Sequence, residues 1–124
     1  MAAVLWVGLG GFLGANARYL LGGWVASRYG AAFPYGTFVI NVTGSFILGF
    51  FLAFAQDRVW VAPSARLLFA VGFVGAYTTF STFEYESVRL LQDREMLLAA
   101  VYLFGSVLTG GVATIAGMAL GGWI

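Results

Sequence analysis

Apolar residues fall along this chain in four long blocks, and short polar clusters separate them. The first block runs from Ala2 to Ala26 with a single charge, Arg18. At 1.5 Å per residue it is long enough to cross a hydrocarbon core of about 30 Å. Residues 27–34 form a short connection in which Gly30 and Pro34 mark turns. The second block, Tyr35 to Ala55, carries no charge and ends at a polar cluster, Gln56 to Ser64, that holds Asp57, Arg58 and Pro63. The third opens near Ala65 and is uncharged from Leu67 to Phe83, after which come Glu84, Glu86 and Arg89. Beyond a very short connection, Gln92 to Glu95, the fourth block runs uncharged from Met96 to Ile124. The pattern predicts an all-α membrane protein with four transmembrane helices in a single domain over residues 1–124.

The third block contains the run Gly72-Phe73-Val74-Gly75-Ala76-Tyr77-Thr78-Thr79-Phe80-Ser81-Thr82-Phe83. Glycine tolerates conformations outside the helix, and hydroxyls can bond to backbone groups that have lost helical partners. A helix continued to Leu91 would also exceed what the hydrocarbon core requires. Two half-helices with an unwound centre near Gly75 to Thr79 are therefore expected. Inside a bilayer such a break is tolerated only where protein or a water-filled cavity surrounds it, so it suggests an ion site.

Polar and small residues on the other blocks fall into stripes. Gly10, Gly14, Arg18 and Gly22 recur every fourth residue and share one helix face, which predicts close helix contact. Arg18 on that stripe either snorkels to the interface or is sealed against a partner inside the bundle, and in either case it can attract an anion. Thr37, Asn41 and Ser45 share a face of the second block. An amide in the middle of a span either bonds across helices or faces a cavity, so Asn41 points away from lipid. On the fourth block, Gly105, Thr109, Ala113, Gly117 and Gly121 make a small-residue stripe, and Tyr102, Ser106, Gly110 and Thr114 make a second. The hydroxyls of that second stripe either escort a partly dehydrated ion or bond their own i−4 carbonyls.

Composition narrows the chemistry. Of 124 residues, 61% are hydrophobic and 9% charged, with a mean hydropathy of +0.93, which is more apolar surface than a soluble domain this small can hide. Six arginines, no lysine and a formal charge of +1 are a poor basis for gripping a phosphate backbone, so nucleic acid is not expected as a partner. With neither cysteine nor histidine, disulfides, thiolate chemistry and the usual zinc or haem ligands are missing. No serine–histidine, cysteine–histidine or paired-aspartate arrangement suggests an intramembrane enzyme. The N-terminal block lacks the basic start and short apolar core of a cleavable signal and reads as the first span.

Arginines near the span ends divide almost evenly between the two sides: Arg58 and Arg66 against Arg28, Arg89 and Arg94. That is nearly no orientation bias under the positive-inside rule, and it predicts insertion in both orientations and pairing as an antiparallel homodimer. Four thin helices are few for enclosing both a core and a pore, and a dimer interface gives their polar faces a shared place. Any path off the two-fold axis would then occur twice, and the broken third spans are candidates for meeting on the axis.

Four segments together resemble the small dual-topology fluoride channels of the Fluc or CrcB family. They are Gly10-Gly11-Phe12-Leu13-Gly14-Ala15-Asn16-Ala17-Arg18-Tyr19, Gly36-Thr37-Phe38-Val39-Ile40-Asn41-Val42-Thr43-Gly44-Ser45-Phe46, the third-block run followed by Glu86, and the pair Tyr102 and Ser106. The resemblance implies an antiparallel dimer with two fluoride pores, exporting fluoride across the plasma (inner) membrane of a prokaryote. Phe80 and Phe83 look like the family's paired phenylalanines facing the anion path, and Asn41 like its pore-lining asparagine. Tyr102, Ser106 and Thr114 look like its hydroxyl track, in which Gly110 leaves a gap. Arg18, Thr37 and Glu86 look like the first-span arginine, the vestibule threonine and the third-span acid. Gly75 and Thr78 sit where backbone carbonyls in such channels hold a central structural sodium ion (Na+), which would join the two breaks.

Fluoride is small and strongly hydrated, so a pore must replace its water with well-placed donors. The amide of Asn41 and the hydroxyls of Thr37, Ser81 and Ser106 can supply hydrogens. A phenylalanine edge carries the positive part of the ring quadrupole and can favour an anion without binding it tightly. Two other readings are open from the residues alone. A proton-coupled exporter of fluoride or cations would need an ionisable carboxylate inside a span, for which Glu84 and Glu86 are the deepest candidates. A non-transporting scaffold would need only the glycine stripes, and would leave the hydroxyls and aromatics at the break without a purpose.

Overall fold

The computed structural model describes residues 1–123. Ile124, the last residue of the expected fourth span, lies outside them. Helix α1 spans Ala2–Tyr29 and ends at Gly30, whose φ of 82° suits glycine and lets its N–H close on the Ala26 carbonyl. The connection to α2, Tyr35–Ala55, is thus shorter than expected, and Pro34 marks its end. The third span comes in pieces. Helix α3, Pro63–Arg66, has proline in its first turn and winds directly into a π-helical stretch, Leu67–Val74, which α4, Gly75–Tyr77, continues. After the break come α5, Phe80–Gln92, and α6, Met96–Trp123. Among the described residues, four helical stretches are long and apolar enough to cross a membrane: Ala2–Tyr29, Tyr35–Ala55, Pro63–Gln92 and Met96–Trp123.

The break is narrower and later than the glycines suggest. Gly75 keeps helical angles, φ −59° and ψ −38°, whereas Thr78 (φ −85°, ψ 155°) and Thr79 (φ −147°, ψ 120°) are extended. What the glycines permit is close approach. The π-helical stretch lies against α1, where Gly10 meets the Leu68 carbonyl and Gly14 that of Phe73, and a Cβ on Gly72 would stand 2.7 Å from the Val7 carbonyl. All four members of the α1 stripe are engaged, since Gly22 lies under Ile40 and Arg18 bonds Ala76.

Helices α2 and α6 pack in the same manner. A Cβ on Gly49 would sit 2.5 Å from the Thr114 carbonyl, and Gly117 and Gly121 meet the carbonyls of Phe46 and Phe50. Among the described residues the small-residue stripe of α6 is used only at its C-terminal end, because a Cβ on Gly105 would meet nothing within 4 Å and Thr109 is exposed. Helix α5 is amphipathic. It buries Phe83, Ser87 and Leu90, and Phe83 and Leu90 join Ala99 and Tyr102 of α6 in an apolar cluster.

Candidate functional site

The third span leaves the helix at two residues and is tied down by its neighbours. Before the break, both the N–H and the hydroxyl of Thr78 donate to the Val74 carbonyl, each at 3.0 Å. Arg18 donates Nε–H to the Ala76 carbonyl at 3.0 Å, placing a cation at the C-terminal end of a helix, where the dipole favours it. Across the break, Asn41 of α2 bonds the backbone of Thr79 twice. Its Oδ1 accepts from the Thr79 N–H at 2.9 Å, and its Nδ2 donates to the Thr79 carbonyl at 3.1 Å. The carboxamide thus does what a neighbouring strand would do, satisfying the donor and acceptor of one extended residue. Thr79 then caps α5, accepting from the Thr82 N–H at 3.2 Å and donating to the Thr82 hydroxyl at 3.1 Å. The first-turn N–H groups of Phe80 and Ser81 lie at the positive end of α5.

Hollows lie on either side of this point. One, of about 250 Å³, is lined by Asn41, Ser45, Thr78, Phe80 and Phe83 among others. The second, of about 830 Å³, is lined among others by Arg18, Thr37, Thr82, Glu86 and Arg89. Thr79 lines both. Of the residues expected at a site, Asn41, Thr78, Phe80 and Phe83 border the smaller hollow, Arg18, Thr37 and Glu86 the larger, and Gly75, Tyr102, Ser106 and Thr114 neither. Ser81, exposed on α5, borders neither.

Phe80 and Phe83 stand with ring centroids 6.2 Å apart at 51°, yet their surroundings differ. Phe80 is 74% exposed, while Phe83 is 8% exposed and meets Tyr102 edge-on at 5.0 Å. Tyr102, fully buried, donates its hydroxyl to Glu86 Oε1 at 2.8 Å. On the same helix, Thr114 donates to the Gly110 carbonyl at 2.9 Å, the ordinary i−4 bond of a helical threonine. Ser106 is the exception: its Oγ is buried without a hydrogen-bond partner among the described residues. A buried hydroxyl without a partner is costly unless something else fills the place.

The expected sodium site is not supported. Among the described residues no three His, Cys, Asp or Glu side chains come together in a group that could hold a metal ion. Gly75 and Thr78 do not form an unwound carbonyl cradle either. Gly75 keeps helical angles, so Thr78 alone of the expected pair lies in the unwound stretch. The neighbouring carbonyls of Val74, Ala76 and Thr79 are answered by Thr78, Arg18 and Asn41 of the same chain. The expectations of a Na+ cofactor and of metal binding are corrected accordingly.

Thr79 and Thr82 were expected only as hydroxyls of the break, and the cap they make on α5 is what sequence reasoning passed over. Its signal was the position of a hydroxyl immediately before an amphipathic run, the signature of a helix cap. The pairing of the Thr43 hydroxyl with the Tyr77 phenol, 2.9 Å apart, had no sequence signal, because 34 residues separate them.

The match to known proteins covers the whole architecture. The profile of the family described as CrcB-like protein, Camphor Resistance (CrcB), matches residues 5–118. A protein of Acidobacterium capsulatum named fluoride-specific ion channel FluC is 50% identical over 117 residues, 94% of each chain. Its namesake in Geotalea daltonii is 44% identical over 124 residues, the full length of both. A third, from Trichormus variabilis, is 48% identical over 116 residues, 93% of this chain and 85% of its own. With a profile that spans all four transmembrane stretches and relatives matched end to end, this chain belongs to the CrcB family.

Proposed function

We propose that this protein is a passive fluoride channel and not an enzyme, and that it works as an antiparallel homodimer with two pores in the plasma membrane. The observation that carries this reading is the smaller hollow, in which Asn41, Ser45, Phe80 and Phe83 gather beside a helix break with no charged side chain among its lining residues. A lining of neutral donors and ring edges replaces part of an anion's hydration without a deep well, so an ion can both enter and leave. The positive end of α5 adds a fixed partial charge at the same point. The larger hollow, lined by Arg18 and Arg89 together with Glu86, Asp93 and Glu95, serves as a mixed-charge vestibule with Thr37 at its wall.

Two features support assembly with a second copy. Phe80 is largely exposed although it lies at the break, and the Gly105–Thr109 end of the α6 stripe is unpacked. A second subunit inserted the opposite way would close the path over Phe80 and bring the unpartnered Ser106 hydroxyl, with Tyr102 beside Phe83, into its wall. The paths would then lie off the two-fold axis and occur twice.

The exporter reading has no comparable support. Glu84 is exposed on α5, and the Glu86 carboxylate is held by the Tyr102 hydroxyl. Purified protein in liposomes should dissipate a fluoride gradient with no fixed proton stoichiometry and leave a chloride gradient in place. Intact fluoride gradients, or a fixed ratio of protons to fluoride, would overturn the proposal.

A further inference from the structure

The hydroxyl stripe on α6 is interrupted where Gly110 stands between Ser106 and Thr114. A Cβ built on Gly110 meets one atom within 4 Å, the Ser45 Oγ of α2, at 3.7 Å. Ser45 also lines the hollow shared with Asn41, Phe80 and Phe83. We propose that Ser45 supplies the hydroxyl that the α6 stripe lacks at Gly110, so that the donor track continues across two helices; this rests on the channel reading above.

The local bonding allows it. The Ser45 hydroxyl donates to the Asn41 carbonyl at 2.7 Å. That carbonyl lies within α2 and is also the helical acceptor for the Ser45 N–H, so releasing the hydroxyl leaves no orphan. The hydroxyl can rotate toward a passing anion and return, exchanging one acceptor for another at small cost. Thr114 has the same type of bond, to Gly110, but does not line the hollow. Space at Gly110 is ordinary van der Waals contact, so a serine side chain can be restored there without displacing backbone.

The test is a four-member cycle: the unaltered protein, Ser45→Ala, Gly110→Ser and the double variant. Each is reconstituted after size-exclusion confirms that it assembles as the unaltered protein does, and fluoride efflux is measured. Ser45→Ala should lower efflux about tenfold, the scale of one donor to a charged partner. Gly110→Ser in the Ser45→Ala background should recover most of that loss, which a merely structural role for Ser45 would not produce. Full efflux in Ser45→Ala, or a loss that Gly110→Ser does not recover, overturns the inference. Should alanine disturb assembly, Ser45→Cys keeps the volume with a weak donor and should show the same loss and recovery. Failure of the unaltered protein to pass fluoride would instead refute the channel reading.

Discussion

The two halves of the third span are held by different kinds of contact. The first half, through the π-helical Leu67–Val74, is fastened to α1 backbone against backbone, with Gly10, Gly14 and Gly72 at places where any side chain would collide with a carbonyl or a Cα atom. The second half, α5, is held by side chains: Phe83 against Tyr102, Tyr102 to Glu86, and the cap from Thr79. Backbone contact fixes position and offers nothing to an ion. Side-chain contact offers rings and hydrogens, and these gather where the rigid half stops. The chain thus passes from backbone anchoring to side-chain contact at Thr78 and Thr79.

The largest effect is expected from breaking the rigid half. Gly14→Val places a branched side chain against the Phe73 carbonyl, in contact too close even for a methyl group. Overpacking of this kind costs about 1–3 kcal/mol or more where the backbone cannot move. The variant should give little monodisperse protein on size-exclusion chromatography. Gly75→Ala is its control, since the nearest atom to a Cβ there is the Ala70 carbonyl at 3.9 Å. It should assemble normally, and a Gly75→Ala variant as damaged as Gly14→Val would remove the distinction between the two regions.

On the side-chain half, Phe80→Ile should leave assembly unchanged, because the ring is largely exposed in the single subunit, and lower fluoride efflux by about tenfold or more through loss of the ring edge. Phe83→Ile should lower efflux similarly and also cost stability on the order of 1 kcal/mol, through the lost contact with Tyr102. Normal efflux in an assembled double variant would defeat the aromatic role. Thermal denaturation of the two single variants then tells whether burial separates them as stated.

Asn41→Asp is milder and sharper. The carboxylate can still accept from the Thr79 N–H, but it replaces the donor that faces the Thr79 carbonyl with an acceptor and brings negative charge to the smaller hollow. A reduced melting temperature together with reduced efflux is expected. Reduced efflux with unchanged melting would mean that Asn41 acts on the ion alone and does not also stitch the break.

Much of this was legible before the fold was known. Uninterrupted apolar blocks give the four spans because a bilayer imposes a minimum length, and the glycine spacing on α1 gives its contact face because a helix repeats nearly every fourth residue. The position of the break was legible only to within a few residues. Gly72 and Gly75 suggested an unwound centre, yet Gly72 serves approach to Val7 and Gly10, and the chain opens at Thr78 and Thr79, the second of which α2 bonds. The π-helical winding of Leu67–Val74, which lies against α1, had no signal in the residue pattern. The partner of Asn41 had none either: an amide's usefulness is evident from sequence, but which backbone it bonds 38 residues away is a tertiary fact.

The smallest expected effect concerns Thr114. Its place on the α6 hydroxyl stripe suggested a part in the anion path, while in the fold its hydrogen is given to Gly110 and the side chain borders neither hollow. Thr114→Val keeps the volume and removes only that bond, so efflux should stay within about twofold of the unaltered protein. Ser106→Ala removes a buried hydroxyl that has no partner in the chain, and if an ion or its water is the missing partner, efflux should fall about tenfold. The two substitutions lie two helical turns apart on one face and differ in whether the hydroxyl is already satisfied. Equal effects would mean that position on the stripe, rather than the state of the hydroxyl, decides which side chains meet the ion.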